Sequence, residues 1–498
     1  MRSFVVIAVF MLACSAGRAA ASPLFELVGD VAEQGGLNAR ASAPGAASSY
    51  FNPALLPDAT PGVVIGVFLL SDSIDIDLAG RTGGDVPSSF RGATHADGRV
   101  FEDPSVPTRW LREGCAAPEC PLPLDARPRQ AAGTSHNTRF YQAIGLVVPL
   151  VQRQLAFGFY GLIPLGTFTT AHSFFADERE QFFTNSLHAE LYSDRLTAPS
   201  LAFGLGARLA KPVSLGVGAT LSLRNAASAD TFVGNPDELD RTLILSTDVG
   251  VKVGFAPHFG LTVKPLDVLA LSATLHTVSK LEIESGISTF LPDGNRQTVT
   301  RATVHDYMPI RVAFGARWDV LGGGDALEPT GQHALALSAG AVLGLWSNYT
   351  DRHGETPSSD YAWDNTLSFV AGARYSFAHL RSYLDAAYVP TPTPPQTGRT
   401  NYVENDRIST AAGIDYDFEL FALRLRAGLS GQLHFLQSRS QSKIDALVRD
   451  EFPDDAVDTR GDPIPESAGL QTNNPGWPGF SSSGMLFAVG VNLALLLP

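Results

Sequence analysis

The chain has 498 residues, of which 17% are charged, and its 36 Lys and Arg against 50 Asp and Glu leave a formal net charge of -14 at pH 7. That balance excludes a nucleic-acid binder, whose phosphate partners require a basic surface. Low charge, 47 glycines and a mean hydropathy near zero fit one large all-β barrel better than the two or three soluble domains this length ordinarily implies.

Arg2, the apolar run Phe4 to Ala13 and the small-residue site Ala19-Ala20-Ala21 have the three-part layout of a secretory signal. Residues 1–21 are therefore expected to be removed. The rival reading makes Cys14 a lipidated N-terminus, although Met11-Leu12-Ala13 is a poor approach to such a site. No run of roughly 18 apolar residues follows, so any membrane crossing is by strands. Residues 22–58, ending in Ser48-Ser49-Tyr50-Phe51-Asn52-Pro53-Ala54-Leu55, read as an N-terminal plug, and 59–498 as the barrel. Pro53 fixes its own backbone and restricts Asn52, making a rigid corner, and the Asn52 amide suits neighbouring backbone groups. Asn52, Pro53 and Ala54 are thus the candidate gating residues.

From residue 62 onward, large apolar residues alternate with small or polar ones, the period of a strand with different solvents on its two faces. In Val213 to Leu223, Leu215, Val217, Ala219 and Leu221 share one face, and Ser214, Gly216, Gly218 and Thr220 the other. Strands are expected near 62–78, 138–151, 154–166, 198–210, 213–225, 242–263, 268–282, 299–319, 333–349, 364–377, 380–390, 404–417, 420–436 and 483–496. About fourteen antiparallel strands is an even number, as bacterial outer-membrane barrels require. A soluble sandwich would bury the apolar face against a second sheet, but so many strands share it that lipid is the simpler partner.

Tight connections at Val151 to Gln154, Lys211-Pro212, Lys264 to Asp267 and Ala378-His379 alternate with long ones at 79–137, 167–197, 226–241, 350–363 and 437–482. Only 320–332 breaks the pattern. Short turns on one rim and long loops on the other give the barrel its polarity, with the long loops outside. Cys115 and Cys120 lie in a Pro-rich loop and are expected to pair in an exported chain. With no second Cys pair they offer no zinc set. Phe68, Phe157, Phe255, Trp318, Trp346, Tyr349, Tyr375, Tyr416 and Phe435 lie toward segment ends, where rings can sit at lipid–water boundaries. Ordinary β-propensity of aromatics would enrich them equally.

The alternation places Arg208, Lys252, Arg311, Arg317, Arg424 and Arg426 on the lumen side. Arginine there can bind a ligand carboxylate through its two-pronged fork, or neutralise acids such as Glu33, Asp248 and Asp319. No Gly-x-Ser-x-Gly or His-Glu-x-x-His pattern occurs. Ser430 and His434 share a strand face but stand about 13 Å apart, too far for a nucleophile and its base. Neither an enzyme nor a bound cofactor is expected.

Gly45, Ala46, Ser49 and Asn52-Pro53-Ala54-Leu55, followed by Ile163-Pro164-Leu165-Gly166, Met308-Pro309, Trp346-Ser347, Pro390 to Pro395 and Asp406-Arg407, resemble the FadL family of outer-membrane transporters for long-chain fatty acids and other hydrophobic compounds. The resemblance spans nearly the whole mature chain. It implies a fourteen-stranded barrel with a plug, capture of a hydrophobic ligand by outer loops, binding in the lumen, and lateral release through a kinked third strand. Gly158, Gly161, Pro164 and Gly166 are the candidates for that gap, because Pro removes a ladder donor and Gly marks bends; equally, they merely end a strand. Phe175, Phe182 and Phe183 could line a short amphipathic helix as a landing site, or only anchor their loop. Implied partners are the hydrophobic ligand, outer-membrane lipids and the barrel-assembly machinery, with the chain a monomer. One departure is the ending Leu495-Leu496-Leu497-Pro498, where such barrels usually finish on an aromatic residue. A diffusion porin and an exporter of lipids or hydrocarbons stay open as alternatives, as does the cargo.

Overall fold

The computed structural model describes residues 23–41, 44–79, 94–99, 134–166, 187–189, 191–233, 235, 243–291, 294–322, 333–351, 354, 356–357, 362–448, 454–470, 472, 474 and 476–497. The expected signal, the Cys115–Cys120 pair and Phe175, Phe182 and Phe183 lie outside the described residues.

Fourteen strands close into a ring: β1 Gly62–Leu78, β2 Thr134–Val151, β3 Leu155–Leu165, β4 Ser200–Ala210, β5 Val213–Val233, β6 Leu243–Leu266, β7 Leu269–His276, β8 Arg311–Leu321, β9 Ala334–Gly344, β10 Thr366–Phe377, β11 Leu380–Val389, β12 Arg407–Leu420, β13 Leu423–Ser442 and β14 Gly479–Leu496. Each pairs antiparallel with its neighbours around the ring, and β14 pairs with β1, so the sheet closes on itself. Closure of this kind satisfies every ladder without water, which a membrane demands. Among the described residues no helix is long and apolar enough to cross a membrane.

Alternation sets the two faces. Along β1, Val64, Phe68, Leu70, Asp72 and Ile74 are buried while Ile65 and Val67 are exposed. Exposed Leu205, Leu215, Val217, Phe255, Leu261 and Phe314 continue the outer face around the ring. So much outward apolar surface matches hydrocarbon, not water.

Three expectations need correction. The strands expected at 268–282 and 299–319 are each two elements: β7 stops at His276 and β8 starts at Arg311, and between them Ser279–Phe290 and Arg296–Met308 form a separate hairpin. That hairpin leaves the ring and pairs in parallel with the far end of β5, from Ile287↔Ala229 to Phe290↔Phe232. Alternation runs unbroken through this stretch, so periodicity alone joined what Pro309 separates. The ninth strand ends at Gly344, because Trp346–Asn348 turn as a 3-10 segment. Among the boundary aromatics, Phe68 faces inward onto Tyr141 at 4.8 Å between rings, and Trp346 and Tyr349 are buried with Trp363. Phe255, Trp318, Tyr416 and Phe435 do face outward.

Residues 23–41 and 44–58 pack against the inward-facing residues of the strands. Their helices Pro23–Val28 and Ser48–Phe51 and the 3-10 segment Pro53–Asp58 bury Leu24, Phe25, Tyr50, Phe51 and Leu56 against Leu70, Tyr141, Tyr160 and Leu162 of the wall. The interior of the barrel is therefore a core, shared between the segment and the strands.

Candidate functional site

The N-terminal segment is shaped locally before it meets the wall. Asp30 accepts hydrogen bonds from Ala32 N, Glu33 N and Gly35 N at 2.9–3.0 Å, closing a tight turn between Gly29 (φ 65°) and Gly36 (φ 55°). Asn52 forms the second corner. Its Oδ1 accepts from Ala54 N at 3.2 Å, and its Nδ2 donates to Thr262 Oγ1 of β6 at 3.1 Å and to Arg40 O at 3.3 Å. One amide thus caps the 3-10 segment and ties it to the wall.

Beside Thr262, the wall around that corner is lined with glycines. A Cβ at Gly206, Gly216 or Gly260 would overlap Pro53 O, Ala54 N or Asn52 Oδ1 respectively, so residues 52–54 rest directly on the backbone of β4, β5 and β6. Gly158, taken from the sequence as part of a lateral gap, belongs to the same seat: its added Cβ would strike Ser49 Oγ and Leu56.

The opposite wall holds the segment with polar groups. Arg374 of β10 binds Asp385 of β11 through both prongs, at 2.5 and 2.9 Å, and also donates to Gln34 O at 2.7 Å and Gly35 O at 2.6 Å. Asp385 in turn accepts from Leu37 N, Asp415 from Gln34 Nε2, and Val28 O from Gln432 Nε2. Sequence reasoning missed Arg374 and Asp385; their inward parity was readable, but their partners come from more than 300 residues away in the chain.

Between these walls lies a charge cluster. Glu26 takes Arg40 at 2.6 Å, Arg311 of β8, and the Tyr50 hydroxyl at 2.7 Å, while Arg311 Nη1 donates to Tyr50 at 2.9 Å. Burial alone would raise the Glu26 carboxyl, but Arg311, Arg40 and Tyr50 outweigh it and hold it at about 2. Arg311 is 4% exposed, and among the described residues its Nε and Nη2 have no hydrogen-bond partner. Unpaired donors in so buried a guanidinium are costly.

Arg311 borders a cavity of 130 Å³ on the long-loop side of the segment. Leu27, Leu37, Leu191, Met308, Val342 and Trp346 supply apolar wall, Arg40 and Arg407 further positive charge, and Glu26, already paired with Arg40 and Arg311, an acid. Its roof is made by inward loops: Leu191 N donates to Glu404 at 2.8 Å, and Leu187–His188 pair with Asn401–Tyr402. The arrangement suits a molecule that is apolar over most of its length and anionic at one end.

The other expected lumen cations are already engaged or lie elsewhere. Arg208 pairs with Asp58, and Arg317 with Asp319 at 2.7 Å. Arg426 pairs with Asp417 at 2.6 Å, Arg424 lines a second cavity near the short turns, and Lys252 is exposed.

In β3, Gly158 and Gly161 pair with both neighbours, Gly158 opposite Val147 and Gly204, and Gly161 opposite Ile144 and Leu201. The ladder to β4 ends at Leu162↔Ser200, while Ile163, Pro164 and Leu165 continue to pair with β2 alone. Gly166 follows at φ 105°. Among the described residues no strand covers the β4 side of Ile163–Leu165.

No family model and no curated protein sequence matches the chain. Among solved structures it is similar to a FadL homologue of Pseudomonas aeruginosa, at 14% identity over 96% of this chain and 99% of that one, with a TM-score of 0.51. It also matches the Pseudomonas putida toluene transporter TodX, at 11% identity over 97% and 99% of the two chains and a TM-score of 0.42. The Ralstonia pickettii toluene transporter TbuX matches at 12% identity over 96% and 98%, with a TM-score of 0.40.

Proposed function

Because this chain has the FadL-family barrel fold, we propose that it resides in the outer membrane and carries hydrophobic molecules with an acidic end, long-chain fatty acids foremost, through that membrane. The observation that carries the cargo reading is Arg311: buried, partnerless at Nε and Nη2, and set at the wall of an otherwise largely apolar cavity. A carboxylate entering the cavity would meet the Arg311 side chain at its wall and reach the two unpaired donors once the guanidinium turns toward it, and charge-assisted bonds of this kind are the strong ones.

In this account the ligand lands on the long-loop end. Phe175, Phe182 and Phe183 are proposed to receive it together with the exposed Ile244, Leu245, Val249 and Val251 of β6. It then binds beside Arg311, above residues 23–58 acting as a plug. Exit is proposed at the one-sided stretch Ile163–Gly166, where Pro164 and Gly166 weaken further pairing. An interior filled by the N-terminal segment favours this reading over a diffusion porin. It would also let the ligand reach the bilayer without crossing a water-filled pore.

The test is uptake of radiolabelled oleate by cells lacking their own long-chain fatty-acid transporter. Expression of this chain should restore uptake, and Arg311→Gln should abolish most of it while leaving the amount of barrel in the membrane unchanged. Restored uptake that is insensitive to Arg311→Gln would sink the proposed carboxylate site, and no restoration would sink the cargo.

A further inference from the structure

A second cavity, of 420 Å³, lies on the other side of the N-terminal segment, at the rim of short turns. Eight of its lining residues are Arg or Lys and only Glu33 and Asp58 are acidic, in a chain whose acids outnumber its bases by 50 to 36. Acids behind the wall neutralise part of this charge: Asp319 holds Arg317, and Asp417 holds Arg381 and Arg426. Asp58 pairs with both Arg208 and Lys264, the latter at 2.9 Å. Arg153, Lys211 and Arg424 have no ion pair among the described residues, and they reach the chamber from three separate places, the β2–β3 turn, the β4–β5 turn and the start of β13. Glu33 adds less than a full negative charge at pH 7, since burial and the neighbouring Asp30 raise its carboxyl to about 7.

Cations converging from several directions, with too few acids to satisfy them, focus a positive potential that attracts a multivalent anion. Phosphate suits it better than a single carboxylate, because its oxygens point to all sides and both guanidinium forks and ammonium groups bind them. We propose that this chamber binds a phosphate-bearing anion arriving from the short-turn side. The anion competes with Asp58 for Arg208 and Lys264, so its binding loosens Pro53–Asp58, where the N-terminal segment runs into β1. By linkage, whatever loosens that junction also strengthens anion binding. The proposal stands apart from the cargo reading, since Arg311 lines the other cavity.

Inorganic pyrophosphate is the probe, titrated calorimetrically into the full chain in an uncharged detergent at low ionic strength and pH 7. One site is expected, weakening as salt screens it. The double variant Arg424→Ala/Lys211→Ala should lose about tenfold in affinity, the equivalent of two modest charge contacts, and Asp58→Asn should gain affinity by removing the competitor. Amide exchange at 53–58 should rise with pyrophosphate. Repeating the titration in phosphatidylcholine nanodiscs with and without phosphatidylglycerol identifies the source. Weaker pyrophosphate binding in the anionic discs assigns the site to a lipid headgroup, and equal binding to a soluble phosphate. Absence of binding overturns the proposal, as does equal affinity in all three proteins. An acidic peptide that binds and is not displaced by pyrophosphate overturns it too.

Discussion

Strands β4 to β6 meet residues 52–54 mainly with glycine backbone, Thr262 apart, whereas β10 to β13 meet residues 28–37 with buried charges and amides. Both contacts hold the same segment, but they fail differently. The glycine wall works by shape: nothing there can be switched off, and the smallest added atom is a collision. The polar wall works by pairing: its groups can exchange partners, and removing one strands another. A segment hinged on the first wall and released from the second is the motion this asymmetry favours.

Breaking the polar wall has the largest expected effect. Arg374→Ala leaves Asp385 buried without its partner, a loss of about 3–5 kcal/mol, and should make residues 30–37 exchange amide hydrogens much faster while the ring stays intact. On the glycine wall, Gly216→Ala forces a methyl group against Ala54 N, an overpacking cost of about 1–3 kcal/mol. Protease should then cut within residues 44–58, with cleavage at 30–37 little changed. If both variants expose the whole segment alike, the two walls are not independent.

The polar wall should also respond to pH through Glu33, whose Oε2 accepts from Ala46 N at 2.6 Å. Burial and Asp30 raise its carboxyl from 4.5 to about 7, Asp415 adding to the rise and Arg426 opposing it. The seated segment therefore binds more protons than the released one between those values. Seating is strongest below about pH 4.5, weakens as pH rises to about 7, and then levels off. Glu33 is half-buried at the edge of the basic chamber, so solvent screening reduces the effect to about 1–2 kcal/mol. Glu33→Gln should flatten the pH profile of amide exchange across residues 30–46. Smallest is Asn52→Ala, about 1 kcal/mol for a lost cap, read as a slight rise in exchange at Ala54.

The ring was legible in the residues because period-2 alternation reports a face directly, and the inward parity of Arg311 came with it. What stands against that face was not legible. Gly158 looked like a weak point in a strand, yet it makes room for Ser49 and Leu56. Phe68, Trp346 and Tyr349 looked like boundary rings, since an aromatic is as welcome in a core as at an interface. The two residues joining β12 to β13, Phe421 (φ 49°) and Ala422 (φ 62°), form a tight turn without the Asn or Gly that normally announces one. The Arg374–Asp385 clamp needs partners hundreds of positions away, and no local pattern encodes that distance.

The central claim is that Arg311 offers its free donors to a ligand carboxylate, and the most direct measurement compares oleate with oleyl alcohol, equal in chain length but lacking the charge, in binding to the purified full chain. Oleate should bind at least about tenfold more tightly, as one charge-assisted contact is worth, and Arg311→Gln should erase the difference. Equal affinities of the two ligands for the unmodified protein would contradict the account.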